Sequence, residues 1–414
     1  MDDRVRLNQT CTRSRPMKIT SISTITLAPY ENLLWLEIAT DEGLIGLGET
    51  SKSPAAVEAY IHEWCAPRLL GTDPLRIPER RASLENYLGW NGAGVETRAV
   101  SAIDIALWDL LGKAHGRPVA DVLGGRARDT IRTYNTCAGA GYMRRSVGQR
   151  SENWALGSAG EYEDLDAFLN RADELAISLL EEGITGMKIW PFDVAAERTG
   201  GVDISADELR RALEPFEKIR KAVGDQMDIM VEFHSLWSLP MAQRLARALT
   251  PYNTYWHEDP FRLDNPADIA AYAPHSEAWV CVSETLSSIH HFRDALATGC
   301  VGVAMFDLGW CGGFTDAKKI AALAEAHKVP CAPHDCTGPV GYAAGCQLSM
   351  HLTNALIMES VRAFYRGWYN DVVTGLPAVD KGMIRLNEGA GHGVALLPDL
   401  AAQPGYQRRE STSS

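Results

Sequence analysis

The chain has 414 residues, of which 46% are hydrophobic and 22% are charged, and this balance excludes a disordered or fibrous protein. The formal net charge is −13, from 40 Lys and Arg against 53 Asp and Glu, without a basic run that would favour nucleic acid or an anionic membrane as a partner. No stretch approaches the roughly 18 apolar residues that a membrane span needs.

The N-terminal part of the sequence predicts a polar tail followed by an α+β domain. Residues 1–16 are polar and lack periodicity, so we interpret them as a disordered tail. Three short strands follow, with the sequences ITSISTITL, LLWLEIA and IGLGE. Helices are predicted over 55–70 and over 100–115, where apolar residues recur at helical spacing. We therefore expect residues 17–130 to form one α+β unit.

From residue 131 onwards, short apolar strands alternate with amphipathic helices. Six of the strands have the sequences MDIMVEF, NTYWHE, WVCVSE, GVAMFD, VPCAPH and NALIME. A polar side chain recurs at the strand ends about every 25 residues, which is one βα unit per step. These strand-end residues are Glu232, Glu258, Glu284, Asp307, His334 and Glu359.

Two further strands, one near 134–137 and one ending at Lys188, bring the number to eight. The carboxyl ends of the strands meet at one mouth in a closed barrel, whereas they spread along an edge in a doubly wound sheet. We therefore predict an α/β protein with a modified (β/α)8 TIM-type barrel over 131–366. Residues 367–414 are expected to pack back on the N-terminal unit.

Three glutamates, Glu232, Glu258 and Glu284, end three consecutive strands. Carboxylates that face one another repel unless a cation lies between them, and Mg²⁺ prefers oxygen ligands. The pattern therefore predicts one Mg²⁺ per subunit, and it favours Mg²⁺ over zinc because no cysteine shares the cluster. The alternative is that these glutamates are solvated or paired with a lysine.

The remaining strand-end residues are candidates for proton transfer and substrate binding. Asp307 on the preceding strand would orient the imidazole of His334 and raise its basicity, which makes His334 a candidate general base. Lys188 could bind a substrate carboxylate or act as a base. His234 could protonate a leaving group or only support the glutamates. Glu359 could contact substrate or pair with a lysine.

Such a site suits the chemistry of carboxylic acids. A cation at a substrate carboxylate, with a base beside the α-carbon, stabilises the enediolate that forms when the α-proton is removed. A general acid beyond the α-carbon would then expel a β-hydroxyl group as water. The sequence therefore indicates an enzyme with a small-molecule carboxylate as its substrate.

Several motifs resemble those of a known family. The N-terminal stretches are TDEGLIGLGE and SAIDIALWDLLGKAHGRPVADVLGG, and the barrel stretches, in chain order, are GMKIW, VEFHSLWS, HEDPF, VSETL, FDLGWCGGFTDA and APHDCTGP. From Met17 onwards the chain resembles the enolase superfamily, in its mandelate racemase/muconate lactonizing enzyme-like branch. This resemblance implies that the α+β unit is a capping domain, with loops near 25–31 and 49–54 over the barrel mouth.

The resemblance also implies roles for residues of the barrel. It implies that the three strand-end glutamates are Mg²⁺ ligands, that His334 and Asp307 form the base dyad, and that Glu359 contacts substrate. The family often has Lys-x-Lys on the second barrel strand, but here Trp190 stands where the second lysine would be. Trp190 is therefore counted with Lys188 and Glu359 as a substrate-binding residue. A histidine at the position of His234 resembles sugar-acid dehydratases.

We therefore expect a Mg²⁺-dependent dehydratase that converts an aldonate-type sugar acid to a 2-keto-3-deoxy acid. The first alternative is an epimerase, racemase or cycloisomerase that uses the same enediolate. A more remote alternative is a non-catalytic, metal-bound barrel that serves as a binding protein. Nine cysteines without CxxC spacing, and no secretory signal peptide, indicate free thiols in the cytoplasm. We also expect a homo-oligomer, from dimer to octamer.

Overall fold

The structure is a computed structural model that describes residues 15–85, 93–145, 148–157 and 160–413. The tail expected over residues 1–16 therefore lies outside the described residues, apart from its last two positions.

The N-terminal unit is a four-stranded antiparallel sheet with helices packed against it, in the strand order β15-β1-β2-β3. Its elements before the barrel are β1 (Ile19–Leu27), β2 (Leu33–Thr40), β3 (Ile45–Ser51), α1 (Pro54–Tyr60), α2 (Ala66–Leu69), α3 (Ile77–Leu84), α4 (Val95–His115) and α5 (Val119–Val122). The helix predicted over 55–70 is interrupted by a π-helical turn at Ile61–Cys65.

Helix α4 packs directly on strand β3, and this contact depends on a glycine. A Cβ atom added at Gly48 would lie 1.9 Å from the carbonyl oxygen of Ala102 on α4. No side chain fits at that separation, so the strand and the helix can approach this closely because position 48 is glycine. The contact fixes the loop that follows β3, which reaches the barrel mouth.

The barrel is a ring of parallel strands with helices outside it. Its strands are β4 (Ile131–Thr136), β5 (Gly186–Ile189), β6 (Asp228–Glu232), β7 (Trp256–Glu258), β8 (Trp279–Val282), β9 (Val303–Ala304) and β10 (Met358–Ser360). Its helices are α6 (Asp164–Asn170), α7 (Ala172–Glu181), α8 (Asp193–Thr199), α9 (Ala206–Val223), α10 (Leu239–Leu249), α11 (Pro266–Tyr272), α12 (Ile289–Leu296), α13 (Gly313–Ala326), α14 (Pro339–His351) and α15 (Arg362–Tyr365).

One predicted strand, VPCAPH, is reduced to a single bridging residue. Cys331 pairs in parallel with Ala304 on one side and with Ala355 on the other. Pro330 and Pro333 flank it and have no backbone N–H to donate, which limits the length of regular pairing. The ring is nevertheless complete, because β10 pairs with β4.

The predicted fold class, a modified (β/α)8 barrel with an N-terminal α+β capping domain, is confirmed. Buried side chains fill the inside of the ring beneath the mouth. They are Tyr134, Met230, Trp256, Cys281, Val303, Met305, Ala332 and Ile357. The barrel is therefore a packed core with a site at one end, as is usual for this architecture.

The last part of the chain contributes strands to the barrel sheet, to the capping sheet and to a separate two-stranded sheet. Its strands are β11 (Val373–Thr374), β12 (Ala378–Asp380), β13 (Met383–Arg385), β14 (Ala395–Leu396) and β15 (Tyr406–Thr412). Strand β15 pairs antiparallel with β1, from Ser21 opposite Thr412 to Leu27 opposite Tyr406. The domain boundaries at 130 and 366 stay predictions.

Two further features concern the chain as a whole. The helices of the described residues include none with the length and apolar character that crossing a membrane requires. The eight cysteines in the described part of the chain are free thiols.

Arg362 joins the closing strand of the barrel to the first helices outside it. Its Nε and Nη2 atoms donate to the two carboxylate oxygens of Asp164 at 2.7 and 2.8 Å, and Nη1 donates to Glu182 at 2.7 Å. We expect Arg362→Met to lower the free energy of unfolding by about 3–5 kcal/mol, because the buried Asp164 carboxylate would lose the guanidinium that pairs with its charge. Equilibrium urea unfolding measures this change.

The matched control is Arg366→Met. Arg366 also pairs with Glu182, at 2.7 Å, but its side chain is 41% exposed. An exposed pair of this kind contributes at most about 1 kcal/mol. Equal losses in the two variants would contradict the structural role assigned to Arg362.

Candidate active site

The candidate site lies where the carboxyl ends of the barrel strands face the capping sheet. The pocket there has a volume of about 570 Å³, which includes space open to solvent. It is lined by residues of the barrel, of the capping domain and of the long segment after β4. The predicted site residues that line it directly are Lys188, Trp190, Glu232, His234, Glu284, His334 and Glu359. Glu258 and Asp307 lie behind these residues and contact them.

A cluster of buried carboxylates surrounds the ammonium group of Lys188. The Nζ atom lies 2.7 Å from Oε1 of Glu258, 2.9 Å from Oε1 of Glu359 and 3.5 Å from Oε2 of Glu232. Burial alone would lower the pKa of Lys188, but Glu258 and Glu359 raise it well above its usual value. Lys188 is therefore an ammonium ion that holds three strand ends together.

Each of the three predicted metal ligands has one oxygen that accepts a hydrogen bond from a group other than Lys188. Glu232 Oε1 accepts from the backbone N–H of His234 at 2.6 Å, and Glu258 Oε2 accepts from the indole N–H of Trp256 at 2.9 Å. Glu284 Oε2 accepts from the hydroxyl group of Ser283 at 2.5 Å. The second oxygens of Glu232 and Glu258 both face the lysine. These bonds fix the carboxylates at the mouth.

The chemistry of this set of oxygen donors fits a hard divalent cation. Burial and the Glu258 carboxylate raise the pKa of Glu232 well above its usual range, so the cluster carries more negative charge than its surroundings favour. Among the described residues, no three acidic, histidine or cysteine side chains are already arranged as a metal-ligand set. Lys188 supplies the positive charge between Glu232 and Glu258 in this structure.

His334 and Asp307 form a buried pair beside the carboxylates. The Nδ1 atom of His334 lies 2.7 Å from Oδ2 of Asp307, and its Nε2 atom lies 3.8 Å from Glu284 and 3.9 Å from Glu359. Burial lowers the pKa of His334, but Glu284, Glu359 and Asp307 together raise it to about 10. Because Asp307 occupies Nδ1, the nitrogen that faces the pocket is Nε2.

A second histidine–aspartate pair lies in the same pocket, and the sequence analysis did not find its aspartate. The Nδ1 atom of His234 lies 2.7 Å from Oδ2 of Asp193, the first residue of α8. Nε2 of His234 lies 3.2 Å from the side-chain nitrogen of Gln149. His234 and Ser235 have φ values of 49° and 58°, in the left-handed region. The chain turns sharply after Glu232, so that the imidazole faces the pocket.

The described parts of the segment over 141–164 line the pocket and are hydrogen-bonded to the capping domain. The side-chain amide of Asn32 donates to the carbonyl oxygens of Met143 and Arg145 at 2.6 and 2.8 Å. Gln149 donates to the hydroxyl oxygen of Tyr142 at 2.8 Å, which fixes its amide beside the second histidine. The described parts of this segment therefore contact both the capping domain and His234.

The cap loop that follows β3 reaches the same pocket. Glu49 accepts from the indole N–H of Trp35 and from the backbone N–H of Gly341, both at 2.8 Å, and burial raises the pKa of Glu49 to about 7. Lys52 and Ser53 follow with φ values of 71° and 54°. This strained backbone places Lys52 on the pocket wall. The other loop expected at the mouth contributes Asn32, one residue past the range implied by the resemblance.

The two remaining predicted substrate-binding residues have different surroundings. Glu359 accepts from the hydroxyl group of Thr136 and, at 3.0 Å, from the backbone N–H of Asp335, in addition to its contact with Lys188. The Trp190 ring lies edge-on to His234 with centroids 5.8 Å apart. Its indole N–H has no hydrogen-bond partner within the part of the chain that the structure describes.

Family models match the two parts of the chain separately. The enolase C-terminal domain-like family matches residues 171–400. The mandelate racemase/muconate lactonizing enzyme N-terminal domain family matches residues 3–124. The matched segments correspond to most of the barrel and to the capping domain.

Curated relatives and solved structures each match most of this chain. The chain is 32% identical to a D-galactonate dehydratase from Ralstonia nicotianae over 349 residues, which are 83% of this chain and 81% of that protein. A D-galactonate dehydratase from Xanthomonas campestris gives the same values. An enolase of the mandelate racemase subgroup from Agrobacterium tumefaciens is 50% identical in structural alignment, with a TM-score of 0.85 over 96% of this chain and 99% of that one. An enolase protein from environmental sequencing of the Sargasso Sea is 40% identical, with a TM-score of 0.86 over 96% and 100%.

Proposed function

The chain belongs to the mandelate racemase/muconate lactonizing enzyme family of the enolase superfamily and is a sugar-acid dehydratase, and on this premise we propose that its two histidine–aspartate pairs divide the reaction between them. His334 removes the α-proton, and His234 protonates the departing β-hydroxyl group. The product is a 2-keto-3-deoxy acid.

The observation that carries this proposal is the presence of two imidazoles in one pocket, each oriented through Nδ1 by its own buried aspartate. The two Nδ1–carboxylate distances are both 2.7 Å. Each pair leaves Nε2 as the nitrogen that can exchange a proton with a ligand. A dehydration needs one base and one acid at adjacent carbons, and this arrangement supplies both.

The proton transfers of this reaction involve only the substrate and these two side chains. His334 takes the proton when the α-C–H bond breaks, and the resulting enediolate expels the β-hydroxyl group as the C–O bond breaks. His234 gives a proton to that oxygen, so water leaves and the remaining enol becomes the 2-keto acid. Gln149 contacts Nε2 of His234 at 3.2 Å, so the substrate hydroxyl would take the position of this amide.

We also propose that Glu232, Glu258 and Glu284 would hold one Mg²⁺. The chemistry that the cation supplies there is positive charge beside the substrate carboxylate. Lys188 would then pair with Glu359 or with the developing negative charge on the substrate, since its Nζ atom lies 2.9 Å from Glu359.

The isomerase alternative needs a second base, and the structure does not favour one. Lys188 is held by three carboxylates within 3.5 Å, so its ammonium group is poorly suited to accept a proton. Trp190 stands at the other position and carries no titratable group. The binding-protein alternative is disfavoured by the dehydratase relatives, which cover 83% of the chain. A homo-oligomeric state and a cytoplasmic location stay predictions.

A screen of sugar acids in D₂O tests the proposed function. We expect Mg²⁺-dependent formation of a 2-keto-3-deoxy acid from at least one sugar acid, with release of water. Incorporation of deuterium into an acid of unchanged formula, without a keto product, would instead support the isomerase. Removal of Mg²⁺ with EDTA should stop the reaction, and addition of Mg²⁺ should restore it.

The proposal predicts that His234→Asn separates proton exchange from elimination. We expect this variant to form product about 10²–10⁴-fold more slowly, because a general acid is lost. Exchange of the α-proton with D₂O should remain measurable, because His334 is unchanged. Both rates can be followed by NMR on the same sample.

Asp193→Asn is the matched variant for the same step. It keeps the imidazole but removes the carboxylate that orients it, so we expect a smaller loss of elimination than in His234→Asn. Exchange should again persist. If His234→Asn abolishes exchange and elimination equally, with Mg²⁺ binding intact, His234 is not a dedicated acid for the leaving group.

A further inference from the structure

Lys52 is a cation in the pocket wall to which the proposed mechanism gives no role. It lies in the cap loop after β3, where its backbone N–H donates to the carbonyl oxygen of Asn32 at 2.9 Å. Its φ value of 71° is in the left-handed region, which a lysine rarely adopts. The side chain is partly buried and lines the same pocket as the two histidines.

The ammonium group of Lys52 lacks a counter-ion in the described part of the chain. The ammonium group of Lys188, by contrast, has three carboxylates within 3.5 Å. No described carboxylate lies within ion-pair distance of Lys52, and the internal segments 86–92, 146–147 and 158–159 contain no Asp or Glu. The cation therefore faces the space that the substrate fills.

Burying a charged group without a partner is unfavourable, and an anion that enters beside it removes this penalty. Burial lowers the pKa of Lys52, the positive charge of Arg98 lowers it further, and Cys336 and Glu284 oppose the shift. Lys52 and Glu284 line the same pocket, so the lysine lies at the barrel mouth. A neutral hydroxyl group would leave the ammonium group without charge compensation once water is displaced.

We propose that Lys52 binds a second carboxylate of the substrate, so that the enzyme acts preferentially on sugar diacids (aldarates) rather than on aldonates. The first carboxylate would lie at the barrel mouth, near the three glutamates and Lys188, and the second would lie under the cap loop. This inference rests on the proposed function and assigns the substrate class of the same site. It changes the aldonate expectation drawn from the sequence.

Matched pairs of six-carbon acids test this directly. The two acids of a pair share their configuration and differ at C6, which is CH₂OH in the aldonate and a carboxylate in the diacid; D-galactonate with galactarate is one pair. We expect the wild-type enzyme to have a kcat/KM at least about 10-fold higher for the diacid of the pair that reacts. We expect Lys52→Met to reduce kcat/KM for that diacid by roughly 10²-fold, the scale of a lost charged hydrogen bond.

The same variant should change kcat/KM for the matched aldonate by less than about 3-fold, because C6 carries no charge there. Lys52→Arg should retain part of the preference for the diacid, since it keeps the positive charge. The control is Lys221→Met, which removes an exposed lysine on α9 and should leave both values unchanged. A wild-type preference for the aldonate, or equal losses on both acids in Lys52→Met, would overturn the inference.

A binding measurement separates this inference from the proposed function. Calorimetry with His334→Asn, which should not turn over, gives the affinities for the diacid and the aldonate with and without the Lys52→Met change. Weaker binding of the diacid alone in the double variant supports the inference even if no sugar acid is dehydrated. Unchanged diacid affinity overturns it, even if dehydration of an aldonate is observed.

Discussion

Replacing His334 with asparagine is expected to slow both α-proton exchange and product formation by roughly 10⁴-fold. His334 is the imidazole that Asp307 orients at 2.7 Å, with Nε2 on the side of Glu284 and Glu359. An asparagine side chain can still bond Asp307 but cannot accept the α-proton. Exchange in D₂O, measured by NMR, and keto-acid formation, measured on the same sample, report the two steps.

His327→Asn is the control for this change. His327 is exposed at the end of α13 and should have no effect on either rate. Asp307→Asn should give an intermediate loss, because the imidazole remains but its orientation and basicity change. Measurable exchange in His334→Asn at a rate near that of the wild type would show that another group removes the α-proton.

Glu258→Gln is expected to remove activity and Mg²⁺ binding together. Glu258 is fully buried between Lys188, at 2.7 Å, and the indole N–H of Trp256, at 2.9 Å. Glutamine has the same shape but no charge, so the site loses one anionic oxygen ligand without a change in packing volume. We expect activity to fall by at least roughly 10³-fold, the scale for losing one electrostatic stabiliser at an active site. Activity assays and Mg²⁺ titration by calorimetry measure the two effects.

Two comparisons distinguish the loss of a metal ligand from a change in net charge and from a change in the fold. Glu277→Gln, at an exposed position before β8, removes one negative charge elsewhere and should leave both properties unchanged. The circular dichroism of Glu258→Gln should match that of the wild type, since the carboxamide can occupy the same space. Tight Mg²⁺ binding retained in Glu258→Gln would count against this glutamate as a ligand.

The barrel could be predicted from the sequence because its signal repeats. One apolar strand and one amphipathic helix recur in each unit, and a polar side chain marks the mouth each time. Spacing could not reveal the true length of each strand. Cys331 forms only a bridge because the prolines that flank it have no backbone N–H to donate. Spacing alone does not show which backbone N–H groups the strand pairing needs.

The strand-end residues of the site could be predicted for the same reason, whereas their partners could not. Asp193 and Gln149 lie on a helix and in an insertion, 41 and 85 residues from the histidine they contact. No periodicity relates such positions, and the folded path of the chain alone brings them together. Lys52 lies within the expected cap loop, but its lack of a counter-ion is a property of the three-dimensional surroundings.

The pairing of β15 with β1 has a consequence for how the chain acquires its fold during synthesis. Residues 406–412 are made after the whole barrel, and they cover one edge of the sheet that begins at Ile19. Until then β1 has an unpaired edge, which is open to pairing with other chains. Closing it requires contact between positions such as Ser21 and Thr412 at opposite ends of the sequence, the kind of long-range pairing that slows folding. The nascent protein therefore completes its capping sheet after the barrel has been made, although the other strands of that sheet are made before the barrel.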